Sequence, residues 1–418
     1  MKKMLPNPVV LLFVLHLLVV PGSLIGQWQT GPSLNTPRQG ASAVVWNNNI
    51  YVFGGKTEND ILLNTVEKFD PNTGIWDETT VTPFTIPRFN ASAVVFNNHI
   101  YLIGGRNSSN DVLKKVEKYD PVQNSWQEVH EMRREREGHT AVIFKDSIHV
   151  FGGAKDNGDL IDEIEHYDEE DDEWEDADFD MISPRAVHFS TVVNDTFYMF
   201  GGFYFGPTNT TFFLPGSDTL WFNGPQLQTA RGNGATAQLG DSIYIMGGET
   251  FNGDTESTEI YNLKTQQMSS GPMIFSPRIA TTSVTLNDKI YLIGGFSSSL
   301  NQPLDLVEIY SKTTTDIKFP FEPSILVNET KLIGFPNPFN GQISFELQIP
   351  KQSNINFTIF DLQGRKIKTL YSGTLNQGVH NFQWEAENSF NQKVSSGIYF
   401  ASLKGDGFFH NFKVFYAK

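Results

Sequence analysis

At 418 residues the chain is longer than one ordinary compact domain, and 39% hydrophobic residues are ample for packed cores. A net charge of -16 repels polyphosphates, which argues against a nucleic-acid partner. The absence of cysteine excludes disulfides, thiolate nucleophiles and cysteine-ligated metal.

The N-terminus opens with Lys2 and Lys3, followed by an apolar run from Val9 to Val20 and then by Pro21, Gly22, Ser23 and Gly26. This layout is that of a secretory signal peptide over residues 1–26, with cleavage before Gln27. The run of 12 residues is shorter than the roughly 20 that cross a bilayer. The expectation is an exported chain with no transmembrane anchor in its mature form.

A repeat then governs residues 27–318. An apolar run ends in a glycine pair six times: Gly54-Gly55, Gly104-Gly105, Gly152-Gly153, Gly201-Gly202, Gly247-Gly248 and Gly294-Gly295. Successive pairs lie 46 to 50 residues apart. Upstream of each stands an arginine, in turn Arg38, Arg88, Arg136, Arg185, Arg231 and Arg278. Downstream, five units carry an acid next to an aromatic-bearing strand: Glu67, Glu117, Glu165, Glu259 and Glu308. Three units add Trp76, Trp126 or Trp174 seven residues past the aromatic. Each unit reads as four short strands separated by turn residues such as Asn47-Asn48-Asn49. One such sheet cannot bury both faces alone, whereas six stacked radially can.

These motifs resemble the kelch repeat, and the resemblance implies a six-bladed β-propeller. Two closures of the ring are open: a strand around Trp28, or the chain near Ile317, could supply the last blade's outer strand.

Residues 319–334 include Pro320 and Pro323 and read as a linker with some strand content. From Phe335 to Lys418, apolar residues alternate with polar ones in several runs, such as Ile343, Phe345, Leu347 and Ile349. This part reads as a small immunoglobulin-like β-sandwich, so the whole chain is all-β. Its Phe335-Pro336-Asn337-Pro338 start, Asp361 to Arg365, Ser396-Gly397-Ile398-Tyr399 and basic, hydrophobic end resemble the C-terminal sorting domain of type IX secretion. That resemblance implies export across inner and outer membranes, a secreted or cell-surface location, and the secretion machinery as partner. A plain spacer domain is the alternative.

The five recurring glutamates suggest a structural role, paired with the arginines or with backbone N–H groups, because one active site does not need the same group five times. The fourth unit breaks the pattern, with Leu214 at the counted position of the acid and an aromatic loop at Phe203-Tyr204-Phe205. In an up-and-down sheet, the loops after the second strand and before the first emerge on one face. That face is expected to gather Lys56, Arg106, Phe203, Tyr204, Phe205, Glu249 and Phe296 with Arg38, Arg88 and Arg185. The kelch resemblance implies binding through this face, and its mixture suits peptide carboxylates or acidic sugars. His139 and His188 are read as packing residues rather than metal ligands. The acidic run from Asp168 to Glu173 is read as a solvated hairpin, since it lacks the glycine of a calcium loop.

No nucleophile, base and orienting group assemble in the sequence. The expectation is therefore a non-catalytic binding protein for a glycan or a protein, with no metal and no cofactor. The alternatives are a sugar epimerase or mutarotase of the kelch kind, and a structural or adhesive envelope protein. A galactose-oxidase-like copper enzyme is excluded because its thioether cofactor needs a cysteine.

Overall fold

The computed structural model describes residues 27–312 and 331–416, apart from 336, 338, 362, 363, 391, 406 and 407. The expected signal peptide, residue Ile317 and most of the expected linker lie outside these residues. The described residues contain no helix. The chain divides into two compact units, Met1–Thr315 and Asp316–Lys418.

The first unit is built from six four-stranded antiparallel sheets. In the first, Ser42–Trp46 pairs with Asn49–Phe53, which pairs with Val66–Asp70 and then Ile75–Asp77. Asn47 and Asn48 both sit at positive φ, 44° and 59°, the requirement of a tight two-residue hairpin turn that asparagine meets at little cost. The second strand is apolar throughout because each sheet buries both faces. Ile50 and Val52 pack against Tyr291 and Ile293 of the sixth sheet, while Tyr51 and Phe53 pack against Ile100 and Leu102 of the second. The apolar core thus lies between neighbouring sheets, as blades of one propeller.

Ring closure comes from the N-terminal side. Gln27–Thr30 is the outer strand of the last blade, paired with Val307–Ser311 so that Trp28 faces Tyr310. The Trp28 indole donates to the Pro272 carbonyl at 3.0 Å, as Trp76 does to Pro32 at 2.9 Å. Val307–Ser311 is the last described strand of the propeller, and residues 313–318 of the expected span lie outside the described residues.

The glycine pairs explain themselves at the blade junctions. Gly55 donates its N–H to the Arg88 carbonyl at 3.0 Å, and the equivalent bond recurs around the ring until Gly295 meets Arg38 at 2.9 Å. Gly54 and Gly55 have φ of 60° and 98°, and a Cβ on Gly54 would stand 2.5 Å from the Arg88 carbonyl oxygen. A second ring lies two residues past the arginines. Asn90 donates to Gly40, Gly138 to Asn90, Val187 to Gly138, Asn233 to Val187, Ala280 to Asn233 and Gly40 to Ala280, all at 2.7–3.0 Å. All six of these residues have left-handed backbone angles.

The second unit is a sandwich of two sheets. One sheet orders Lys331–Phe335, Ile343–Ile349 and Gly378–Trp384; the other orders Lys366–Leu375, Ser353–Asp361, Gly397–Gly405 and Phe408–Tyr416. The alternation seen in the sequence points Phe345, Leu347, Phe357 and Ile359 into one core with Trp384 and Leu403. The first described strand of this unit, Lys331–Phe335, falls at the end of the expected linker and completes the smaller sheet against Ile343–Ile349.

Candidate functional site

The expected face exists, and backbone bridges build it. The residue after each arginine pairs with the residue after each glycine pair: Gln39 with Lys56, Phe89 with Arg106, Ala186 with Phe203, Gly232 with Glu249 and Ile279 with Phe296. This ties the loop entering the first strand to the loop leaving the second, on one side of every blade. At the axis, the inner ring and the residues that follow it line a cavity of ≈ 130 Å³.

The recurring arginines are not on this surface, which corrects their expected place in the binding face. Arg38, Arg88 and Arg185 are at most 2% exposed. Arg38 donates to the Glu67 carboxylate at 2.6 Å and to the Gly54 carbonyl at 3.0 Å. Arg88 and Glu117, Arg136 and Glu165, Arg231 and Glu259, and Arg278 and Glu308 form the same buried pair. Each carboxylate also accepts backbone N–H bonds from the loop ahead of its arginine, as Glu67 does from Asn35 and Thr36 at 2.7 and 3.0 Å. A guanidinium is buried tolerably here because a carboxylate and carbonyls satisfy it.

Lys56 and Arg106, the other cations expected on the face, are engaged as well. Lys56 bonds Asp60 at 2.8 Å and lies over the Phe89 ring, 5.3 Å from its centre. Arg106 bonds Glu137 at 2.7 Å and Asp156 at 3.3 Å, so it bridges the second blade to the third. Anionic ligands, expected from the arginine count, find few free donors here. Phe203, Glu249 and Phe296 are half-buried, each held by its backbone bridge.

The aromatic loop is the exposed part. Phe205 is 96% exposed and Tyr204 42%, their ring centres 4.5 Å apart. A hydrogen bond from the Tyr204 N–H to the Gly206 carbonyl, 3.0 Å, folds this loop back and sets Phe205 at φ 57°. Left-handed backbone is costly for a bulky residue, and a fully exposed ring returns no burial. Phe251 of the fifth blade, 76% exposed, stands beside it: a Cβ on Gly206 would be 3.2 Å from the Phe251 ring. Sequence reasoning did not single out Phe251; an aromatic just ahead of the Asn252-Gly253 turn was the available signal.

The family models now bear on this geometry. The KLHDC2/KLHL20/DRC7 Kelch-repeats domain matches residues 19–202 and 130–295, and the Kelch motif matches residues 277–315. The chain belongs to the kelch-repeat family. Kelch-like protein 23 of Mus musculus and of Homo sapiens are each 28% identical to it over 136 residues, 32% of this chain. That match spans only 24% of either relative's length. A solved structure, described as the structure of YjhT, superposes with a TM-score of 0.59 at 17% identity, covering 69% of this chain and 98% of that one. This likeness shows a shared propeller fold. In the second unit, residues 337–407 match the FlgD Ig-like domain.

Among the kelch blades the fourth departs most from the others. Register places Phe212 opposite Met199, where Glu67 lies opposite Val52, so Phe212 and not Leu214 takes the carboxylate's place. Its ring lies 5.0 Å from the Arg185 guanidinium carbon. Arg185 keeps carbonyl and hydroxyl partners on Gly201 and Thr210, but its Nε is buried without one. Burial lowers its pKa to about 10. The missing tryptophan of this blade is Trp221, whose indole donates to the Asp180 carbonyl at 2.8 Å.

His139 and His188 are buried in different inter-blade seams, their rings against Gly104 and Gly152. Burial, with nearby Arg136 or Arg185, lowers both pKa values to about 3 and keeps both rings neutral. The acidic hairpin is only partly solvated. Glu169 accepts from Tyr101 at 2.7 Å and from Lys118 at 2.9 Å, joining the third blade to the second. Burial alone would raise its pKa, yet these bonds and one from Asn97 hold it down to about 2.

Proposed function

We propose that this kelch protein is an exported, non-catalytic binding protein that recognises a glycan or a protein through the face carrying the loops between second and third strands. The observation that carries this reading is Phe205: a fully exposed aromatic, held at a costly left-handed angle beside Tyr204 and Phe251. Solvent gives no reason to maintain such a group, whereas a ligand that covers it does.

Export is proposed from the N-terminal pattern of Lys2, Lys3 and the Val9 to Val20 run. The C-terminal unit would direct type IX secretion to the cell surface or the medium; its Ig-like family match fits a sorting domain and a spacer alike.

The test is a glycan and peptide array probed with the full-length protein and with a Phe205→Ser/Phe251→Ser variant. Both side chains are exposed, so the variant should keep its fold. A hit that the variant loses by tenfold or more supports the reading. Equal binding by both proteins, or none by either, would remove this face from consideration.

A further inference from the structure

Exposed apolar groups and exposed carboxylates cluster on different blades of the face. At the loop tips of the fourth, fifth and sixth blades stand Tyr204, Phe205, Phe251 and Leu300, the last 59% exposed. These tips are continuous: Gly206 lies against Phe251, and Ser298 of the sixth blade donates to Asp254 of the fifth at 2.7 and 2.8 Å. Across the ring, the tips of the second and third blades carry exposed Asp111, Asp156 and Asp159, with half-buried Glu135 and Glu137 beside them. Arg106 stands among these acids and is already engaged by Glu137 and Asp156.

We infer that the ligand of this face is a polypeptide segment that places apolar side chains on blades four to six and lysine or arginine on blades two and three. The inference rests on the binding reading above and names its ligand class. Three observations decide the class. The arginines that could have held an anion are buried, all but Arg185 against a carboxylate, so an acidic ligand would meet net negative charge. The apolar surface spans three blades, more than one stacked ring covers. The apolar fifth and sixth blades lie across the axis from the acidic second and third, so a ligand using both must be extended and chemically mixed, as a peptide is. A neutral sugar would use the aromatic half alone and ignore the carboxylates.

The experiment is selection from a random library of peptides about 12 residues long against the full-length protein, with a neutral oligosaccharide array run beside it. Enriched peptides should join aromatic or aliphatic residues to two or more Lys or Arg. Their affinity should fall at least tenfold in Phe205→Ser/Phe251→Ser. It should fall about threefold or more in Asp111→Asn/Asp159→Asn, which should also lose most of the salt dependence. Selected peptides that are acidic or neutral, or insensitive to the aspartate changes, overturn the inference. Aromatic-dependent binding of oligosaccharides alone also overturns it, while leaving the binding reading standing. Failure of every probe to depend on Phe205 and Phe251 overturns both.

Discussion

The third and fourth blades solve one problem in two ways. In the third, Arg136 is buried against Glu165 at 2.8 Å, and Glu165 also accepts the N–H groups of Arg133 and Arg134. In the fourth, Arg185 occupies the same place over Phe212, with no carboxylate in reach. Both guanidinium groups still donate to the first glycine's carbonyl, Gly152 or Gly201. The backbone geometry of the blade therefore needs the arginine's reach, while the charge partner can be exchanged for an aromatic face. The fourth blade is also the one that displays the Phe203 to Phe205 loop. A blade released from the repeated ion pair is where the repeat's surface has diverged.

The sharpest way to break this comparison is to remove each arginine. Arg136→Met removes the buried cation of Glu165 and leaves it only the more distant, partly exposed Arg134 at 3.6 Å, which should still cost about 3 kcal/mol of stability. Arg185→Met exchanges a cation–π contact for relief from an unpaired buried charge, and should change stability by only about 1 kcal/mol or less. Denaturant unfolding of the two variants measures the difference; equal losses would mean that the carboxylate contributes little.

A pH titration sharpens it next, because the same two blades hold the buried imidazoles. His139 and His188 stay neutral in the folded protein until about pH 3, whereas the unfolded chain takes up protons below roughly 6.5. The unfolded state then binds more protons, so stability is intact above that value and falls as pH drops through the interval. At pH 5 the loss should be about 2 kcal/mol per histidine. Unfolding curves at pH 7.5 and 5 should show it, and a His139→Leu/His188→Leu variant should flatten the slope.

The smallest expected effect concerns the inner ring. Val187 sits at φ 46°, where the second and fifth blades use Asn90 and Asn233. Val187→Asn should stabilise the propeller by about 1 kcal/mol, since asparagine enters this region more easily than a β-branched residue. A melting temperature unchanged or lowered would show that the valine's packing against Gly138 outweighs its strain.

Much of the architecture was legible in the residues themselves. The glycine pairs, the Arg and Glu positions and the tryptophans recur because every blade meets the same local demands: a close approach by the next chain, a buried cation to satisfy, an indole to anchor the outer strand. A short-range repeat records such demands directly. The alternation in Ile343 to Ile349 likewise revealed the sandwich, since one face of each strand must be apolar.

Tertiary structure alone decided what depends on distant partners. Trp28 closes the last blade by pairing with Tyr310, a choice that local sequence left open because both chain ends offered a strand. Counting placed Leu214 at the missing acid, whereas the ladder puts Phe212 there, since loop length between strands differs from blade to blade. The burial of Arg38, Arg88 and Arg185 was hidden for the same reason. A charged residue reads as surface until the groups that hold it inside, a carboxylate and carbonyls for Arg38 and Arg88 or an aromatic ring and a carbonyl for Arg185, are brought together by the fold.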